Sequence, residues 1–162
     1  MRIGITGHQK LPPSGSWNWT RNEIHLFLER NIEIVTEVFS SLADGADQQF
    51  AEEALQLGIP LHVILPCSNY ELAFGNPTAL LMFTELKSQA SEVRLLDYPE
   101  PSEDAFMAAG QEIVKSVDLL IAVWNGRSAP GNGGTDDVVK YAQLETRRII
   151  HINPVSQTVS EI

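Results

Sequence analysis

Short apolar runs recur along the chain, and each one ends at a glycine, proline, asparagine or aspartate. The runs are rich in isoleucine, leucine and valine and alternate only partly with polar residues. That pattern is typical of parallel strands that are covered on both faces. It predicts six strands, over residues 2–6, 37–42, 61–65, 93–96, 119–124 and 148–152.

Helical spacing of apolar residues fills the segments between these strands. Thr20 to Glu23 has the form of a capping box, which predicts that the first helix begins there, after a loop over residues 10–19. Asp47 is positioned to cap the second helix. Three further helices are predicted over residues 76–88, 102–116 and 135–144.

Strands and helices therefore alternate at the spacing of right-handed crossovers. This predicts an α/β fold: a Rossmann-like, doubly wound and mostly parallel sheet of about six strands with helices on both faces. The 162 residues suit one domain, which we place at residues 1–154. Residues 155–162 carry no such pattern and are expected to form a frayed C-terminal tail.

Charge changes the picture of possible partners. The formal net charge is -10, from 11 lysines and arginines against 21 aspartates and glutamates. Binding to nucleic acid depends on cations that displace counterions, so the balance predicts that nucleic acid is an unlikely partner. An anionic small molecule is still compatible, because backbone N–H groups can hold a phosphate.

The composition also bears on the cellular compartment. There is one cysteine, and the polar residues that follow Ile5 leave no room for a signal peptide, so we expect a cytoplasmic protein. No apolar run reaches the roughly 20 residues of a membrane helix, so no membrane association is expected. The 4 histidines show no metal-ligand spacing, and no metal site is expected.

Unusual residues follow the predicted strands, at the edge of the sheet where open α/β proteins bind ligands. Gly7, His8 and Gln9 follow the first strand and are candidates for contact with a phosphate or a sugar, with a capped turn as the alternative. Gly45 and Asp47 follow the second strand, and Asp47 suits a ribose hydroxyl if it is more than a helix cap.

The segment after the fifth strand carries the most information. Asn125 and Gly126 end the strand, and Gly133, Gly134 and Thr135 lead directly into a helix. Backbone N–H groups at such a helix start, at the positive end of the helix dipole, form an anion site. We interpret the segment as a phosphate-binding loop, against the alternative of a plain surface loop. No lysine follows the glycines, so it is not a P-loop.

Five segments together resemble the SLOG superfamily: residues 5–9, 41–47, 58–66, 122–126 and 133–135. That superfamily includes the LOG or lysine decarboxylase-like phosphoribohydrolases, the Smf-type DNA-processing domains and nucleotide-sensing domains. The resemblance implies a Rossmann-like fold in which Gly7 and His8 line the ligand pocket. It also implies that Gly45 and Asp47 flank the pocket and that the Gly133–Thr135 segment holds a phosphate. Members commonly self-associate, so it implies a homodimer as well.

One departure from the family pattern concerns catalysis. The LOG enzymes and the similar nucleoside deoxyribosyltransferases carry a glutamate three residues after the threonine of the Gly-Thr pair, and Val138 occupies that position here. Asp137 is one residue early, which rotates its side chain by about 100° on a helix. The missing glutamate argues against an enzyme and favours binding or sensing of a nucleotide derivative. A nucleotide derivative is the only ligand or cofactor that the sequence suggests. The alternative is an N-glycosidase or deoxyribosyltransferase-like enzyme that uses Asp47 or Asp137.

Overall fold

The structure, a computed structural model, describes residues 1–127 and 134–162. The described residues form one seven-stranded sheet in the order β4-β3-β2-β1-β5-β6-β7. Strands β1 to β6 are mutually parallel, and β7 pairs antiparallel with β6. The strands are β1 (Arg2–Gly7), β2 (Glu37–Ser40), β3 (Leu61–Leu65), β4 (Glu92–Leu95), β5 (Leu119–Val123), β6 (Arg148–Asn153) and β7 (Thr158–Glu161).

Helices cover both faces of this sheet, as the sequence pattern predicts. They are α1 (Trp17–Arg30), α2 (Ala46–Gln56), α3 (Pro77–Ser88), α4 (Glu103–Ser116) and α5 (Thr135–Leu144), and a short 3-10 turn spans Tyr70–Ala73. Apolar residues of α1, α2 and α3 pack on one face in a core that includes Ile24, Phe50 and Phe83. Residues of α4 and α5, among them Ile113 and Val139, pack on the other face. The doubly wound α/β fold is confirmed.

Two helix starts differ from the prediction. Helix α1 begins three residues before Thr20, because the Ser16 hydroxyl accepts a hydrogen bond from the N–H of Trp19 at 3.2 Å and caps the helix. Thr20 is buried and its hydroxyl donates to the carbonyl of Ser16 at 2.7 Å. Helix α2 has Gly45 at its N-cap, with no side-chain cap. The capping role predicted for Asp47 is therefore wrong.

The C-terminal residues also differ from the prediction. Residues 155–162 do not fray, because Thr158–Glu161 adds the seventh strand at the edge of the sheet. A β-turn of residues 154–157, with the Asn153 side chain accepting from the N–H groups of Val155 and Ser156, returns the chain onto β6. Arg148 and Glu161 pair across the two strands at 2.8 Å. The strand is short, polar and exposed, so its sequence lacks the apolar run that marked the other six.

Candidate functional site

An open cavity of about 530 Å³ lies where the loops after β1, β2, β3 and β5 meet one face of α4 and the first turn of α5. Strand β1 pairs with β2 on one side and β5 on the other, so the chain changes winding direction at this point of the sheet. Open α/β proteins bind ligands at such a switch point, outside the carboxyl ends of the strands. The described residues that line the cavity and were predicted as site residues are Gly7, His8, Gln9, Asp47, Gly134 and Thr135.

His8 connects the loops after β1, β2 and β5. Its Nε2 accepts a hydrogen bond from the N–H of Asn125 at 3.2 Å, and its carbonyl accepts from the N–H of Ala46 at 3.1 Å. Its own N–H donates to the carbonyl of Val123 at 3.0 Å. Asn125 therefore acts by positioning the ring of His8, and it is not among the described residues that line the cavity.

The two glycines at this edge are required by packing. A Cβ on Gly7 would lie 2.5 Å from Cβ of Ala46 and 2.8 Å from Cβ of Val123. A Cβ on Gly45 would lie 2.5 Å from the carbonyl oxygen of His8, and the φ of Gly45 is 87°. Both glycines allow α2 to start directly against β1. Gly45 packs against the backbone of His8 and is not itself among the described residues that line the cavity.

Asp47 lies at the cavity wall but its side chain is almost fully buried. One carboxylate oxygen, Oδ2, accepts hydrogen bonds from the N–H of Ser41 at 3.1 Å and from the hydroxyl of Ser40 at 3.3 Å. Burial raises the pKa of Asp47 to about 7, and the hydrogen bonds from Ser41, Ala43 and Ser40 offset only part of that shift. Asp47 is thus a buried carboxyl that can exchange a proton near neutral pH.

The turn after β5 brings a cation to the cavity. The side chain of Asn125 accepts the N–H of Arg127 at 3.0 Å, and Gly126 between them has a φ of 80°. The carbonyl of Arg127 accepts the indole N–H of Trp124 at 2.8 Å. Trp124 and Arg127 both line the cavity, whereas the described lining does not include Gly126. Gly133 lies outside the described residues.

Helix α5 begins at the cavity. Gly134 is its N-cap, in extended conformation with no side chain to cap the helix, and Thr135 is the first helical residue. Asp136 is buried and its Oδ2 pairs with Lys140 at 3.2 Å. Val138, at the position where the resembling enzymes carry a glutamate, lines the cavity, whereas Asp137 is not among the described lining residues. Of the two catalytic candidates, the structure brings only Asp47 to the cavity.

Sequence reasoning missed an aromatic part of the lining. Tyr70 and Phe74 follow β3, and Phe106 comes from the first turn of α4. The ring of Tyr70 makes edge contacts with Phe74 at 5.2 Å and with Phe106 at 6.3 Å between centroids. Burial and the nearby charge of Asp47 raise the pKa of the Tyr70 hydroxyl, so this group stays a hydrogen-bond donor at neutral pH and above. Lys10, Asp44 and Arg127 are other lining residues that were not predicted.

Comparisons with known proteins agree with this geometry at the level of the fold. The chain superimposes with a TM-score of 0.67 on DNA processing protein A of Helicobacter pylori, which binds single-stranded DNA, at 18% identity over 93% of this chain and 64% of that one. It superimposes on the same protein, DprA, of Streptococcus pneumoniae with a TM-score of 0.66 at 17% identity, over 93% of this chain and 49% of that one. The chain also superimposes on the structure of TM1055, with a TM-score of 0.57 at 16% identity, over 91% of this chain and 71% of that one.

The chain shares the Rossmann-like fold of these three structures. It spans less than two thirds of the length of either DprA protein. No protein-family model matches the chain, and no curated protein matches it.

These likenesses correct one expectation. We predicted from the net charge that nucleic acid is an unlikely partner, and that prediction is wrong as an exclusion, because the fold is shared with a protein that binds single-stranded DNA. Net charge averages over the whole surface and does not describe one edge of a sheet.

Two other features of the described residues bear on function. No group of histidine, cysteine, aspartate and glutamate side chains among them could hold a metal ion. No helix among them is long and apolar enough to cross a membrane.

Proposed function

We propose that the cavity at the carboxyl edge of the sheet binds a nucleotide. The observation that carries the proposal is the make-up of one cavity, which combines two cationic side chains and a helix N-terminus with a cluster of aromatic rings. A phosphate needs the first group of features, and a base stacks on the second. Rossmann-like domains with nucleotide ligands use this same edge of the sheet.

The anion end would be formed by Lys10, Arg127 and the first residues of α5. Within the described residues, neither Lys10 nor Arg127 forms a salt bridge, so their charges are available to a ligand. Of the acidic side chains in the described lining, Asp136 pairs with Lys140, Asp47 has a pKa raised to about 7, and Asp44 adds one further carboxylate. The local balance therefore differs from the net charge of -10 of the whole chain.

The base end would be formed by Tyr70, Phe74 and Phe106. Strand β3, which leads to Tyr70, is three strands from β5, which leads to α5, a distance of about 14 Å across the sheet. Tyr70 and the start of α5 nevertheless line the same cavity, so one nucleotide could contact both. No described residue bonds to the Tyr70 hydroxyl, which leaves it for a group of the ligand.

Single-stranded nucleic acid is a second candidate, favoured by the likeness to the DprA protein that binds single-stranded DNA. A nucleotide unit of such a strand presents the same phosphate and base to the cavity. Aromatic stacking with nearby cations is the usual means by which proteins hold single strands. Cleavage of an N-glycosidic bond is the remaining alternative and now depends on Asp47 alone.

The test is a binding titration of the whole chain with AMP, ADP-ribose and a labelled oligo-dT, with Arg127→Ala beside Arg30→Ala. Arg30 is a matched control because it is an exposed arginine at the C-terminal end of α1 and is not among the described residues that line the cavity. Loss of a charged hydrogen bond in Arg127→Ala is expected to weaken binding about tenfold or more. Arg30→Ala should bind as the parent does.

The same samples separate the candidates. A mononucleotide that saturates the protein and resists displacement by oligo-dT supports a small-molecule site, whereas tight oligo-dT binding with a steep salt dependence supports single-stranded DNA. Free base released by the parent and not by Asp47→Asn would establish glycosidic cleavage. No binding of any ligand, or equal loss in both arginine variants, would contradict the proposal.

A further inference from the structure

Strand β4 forms one edge of the sheet and pairs only with β3 among the described strands. All four of its residues are exposed, including Val93 at 44% and Leu95 at 53%. An exposed edge strand presents a row of backbone hydrogen-bonding groups to any strand that can pair with it.

The backbone direction of β4 follows from the hydrogen bonds that flank it. The N–H of Leu96 donates to the carbonyl of Leu65 at 2.9 Å, so Leu96 faces β3. Backbone groups of alternate residues in a strand point the same way, so those of Glu92 and Arg94 also face β3. The backbone groups of Val93 and Leu95 therefore point away from the sheet. The N–H of Ser91, just before the strand, also bonds to the carbonyl of Leu61, which limits the open stretch to Val93 and Leu95.

The side chains on one face of β4 carry opposite charges two residues apart. Glu92 pairs with His62 at 3.2 Å, and Arg94 pairs with Glu112 of α4 at 2.9 Å. Both remain more than half exposed, at 65% for Glu92 and 56% for Arg94. Each can therefore meet a further charged side chain without leaving its present partner.

We propose that β4 pairs antiparallel with β4 of a second copy of this chain, with a two-fold axis at Val93. In this register Val93 lies opposite Val93 of the second copy as a hydrogen-bonded pair. Glu92 then lies opposite Arg94 of the second copy, and Arg94 opposite its Glu92, at the closely spaced non-hydrogen-bonded positions. The result is an isologous dimer with a continuous sheet.

The charges select this register over its neighbours. Placing the axis at Glu92 would set Glu92 opposite Glu92, and placing it at Arg94 would set Arg94 opposite Arg94. Both arrangements place like charges together, which is destabilising at directly opposite positions. Short charged edge strands usually resist pairing, but here both signs are arranged symmetrically about Val93, so self-pairing is attractive.

The opposite edge of the sheet, strand β7, does not carry both signs of charge in a symmetric arrangement. Strand β7 is also four exposed residues long, but its only charged side chain, Glu161, pairs with Arg148 of β6. No register of β7 against itself brings opposite charges of that strand together. Val159 is nevertheless a close counterpart of Val93, because it is a valine that is 46% exposed on an edge strand. The N–H of Ile162 bonds to Ile149, so by alternation that of Val159 points outward as well.

The interface consists of one short strand from each copy, so we expect a weak dimer that depends on concentration. Sedimentation equilibrium of the whole chain would measure its dissociation constant. Arg94→Glu is expected to raise that constant about tenfold or more, because two attractive pairs become two repulsive ones. The double variant Glu92→Arg with Arg94→Glu restores the pairs with exchanged signs and should recover the dimer.

A proline pair provides the second arm of the test. Val93→Pro removes an outward N–H and should abolish the dimer, whereas Val159→Pro removes the equivalent group from β7 and should not. Thermal melts confirm that each variant is folded. In the parent, amide exchange of Val93 should slow as concentration rises. A monomer at every concentration, a dimer unchanged by Arg94→Glu, or failure of the charge exchange to recover it would overturn the proposal.

Discussion

Oδ2 of Asp47 accepts the N–H of Ser41 at 3.1 Å, so a carboxyl in the first turn of α2 holds the end of β2 in place. The hydroxyl of Ser40 donates a hydrogen bond to the same oxygen. The Ser40 hydroxyl oxygen also accepts a hydrogen bond from the N–H of Leu42, whose φ of 57° is in the left-handed region. The loop that forms one wall of the cavity is thus shaped by a buried acid. The acid gains hydrogen bonds but loses its hydration.

This arrangement predicts a pH-dependent stability. The pKa of Asp47 rises from 3.8 to about 7 on folding, because burial disfavours the charged form. Between these values the folded chain holds a proton that the unfolded chain has lost, so the free energy of unfolding falls as pH rises from about 4 to about 7. The contribution is on the order of 4 kcal/mol. Asp47→Asn, which is neutral throughout, should lack it.

Urea unfolding at pH 5 and at pH 8 would measure the effect. The free energy of unfolding of the parent minus that of Asp47→Asn should be larger at pH 5 than at pH 8. Asp44→Asn is the control, because Asp44 also lines the cavity but is only half-buried. A parent and an Asp47→Asn variant with parallel pH profiles would show that Asp47 is ionised in the folded chain.

Gly45→Ala should destabilise the chain more than Gly58→Ala. Both glycines have positive φ, 87° and 73°, so both substitutions introduce backbone strain, and Gly45, with ψ −120°, also lies outside the left-handed helical region that other residues can visit. A Cβ at Gly58 meets nothing within 4 Å, whereas one at Gly45 would lie 2.5 Å from the carbonyl oxygen of His8. Thermal melts of the two variants would measure the combined cost of strain and overlap at Gly45 against strain at Gly58. Equal losses would mean that the loop holding His8 moves without cost.

Tyr70→Phe should separate binding from folding. The ring of Tyr70 packs against Phe74, Phe83 and Phe106, and these contacts survive in phenylalanine. Because no described residue bonds to the hydroxyl, its loss breaks no hydrogen bond among the described residues and should not lower the free energy of unfolding. Loss of a ligand hydrogen bond should weaken nucleotide binding about fivefold to tenfold. Unchanged affinity would place the base elsewhere.

The contrast between what sequence predicted and what it missed has a physical basis. Buried strands such as Leu119–Val123 must be apolar throughout, so their boundaries can be read from composition. Strand β7 is stabilised by pairing with β6 and needs no apolar face. Helix caps such as Ser102, which accepts the N–H of Ala105 at 3.1 Å, are local and predictable.

The candidate site was predicted only where a loop has a local signature. Gly7, His8 and Gly134 follow strands or precede helices, so their place at the carboxyl edge could be inferred. Tyr70 and Phe106 reach the cavity from a 3-10 turn and from a helix that is distant in sequence, and only tertiary packing brings them together. Aspartates near a helix start suggest caps, and nothing in the sequence showed that Asp47 turns back toward β2.

Gly134→Ser should raise stability and weaken binding at the same time. Gly134 has φ −74° and ψ 171°, which serine adopts without strain, and it is an N-cap with no side chain. A serine hydroxyl there would accept an N–H of the first turn of α5, which should add about 0.3 kcal/mol to the free energy of unfolding. A phosphate held at the start of α5 would compete for the same N–H groups and lose affinity.

Gly134→Ala is the matched variant, because it adds a Cβ without a hydroxyl. It should not gain the capping energy, and any binding it loses measures the steric effect alone. Denaturant unfolding and nucleotide titration of both variants give the two quantities. Binding that is equal in the serine and alanine variants, together with a stability gain in serine, would mean that the N–H groups of α5 do not hold the phosphate. A loss of binding confined to serine would place the phosphate on the N–H groups of α5.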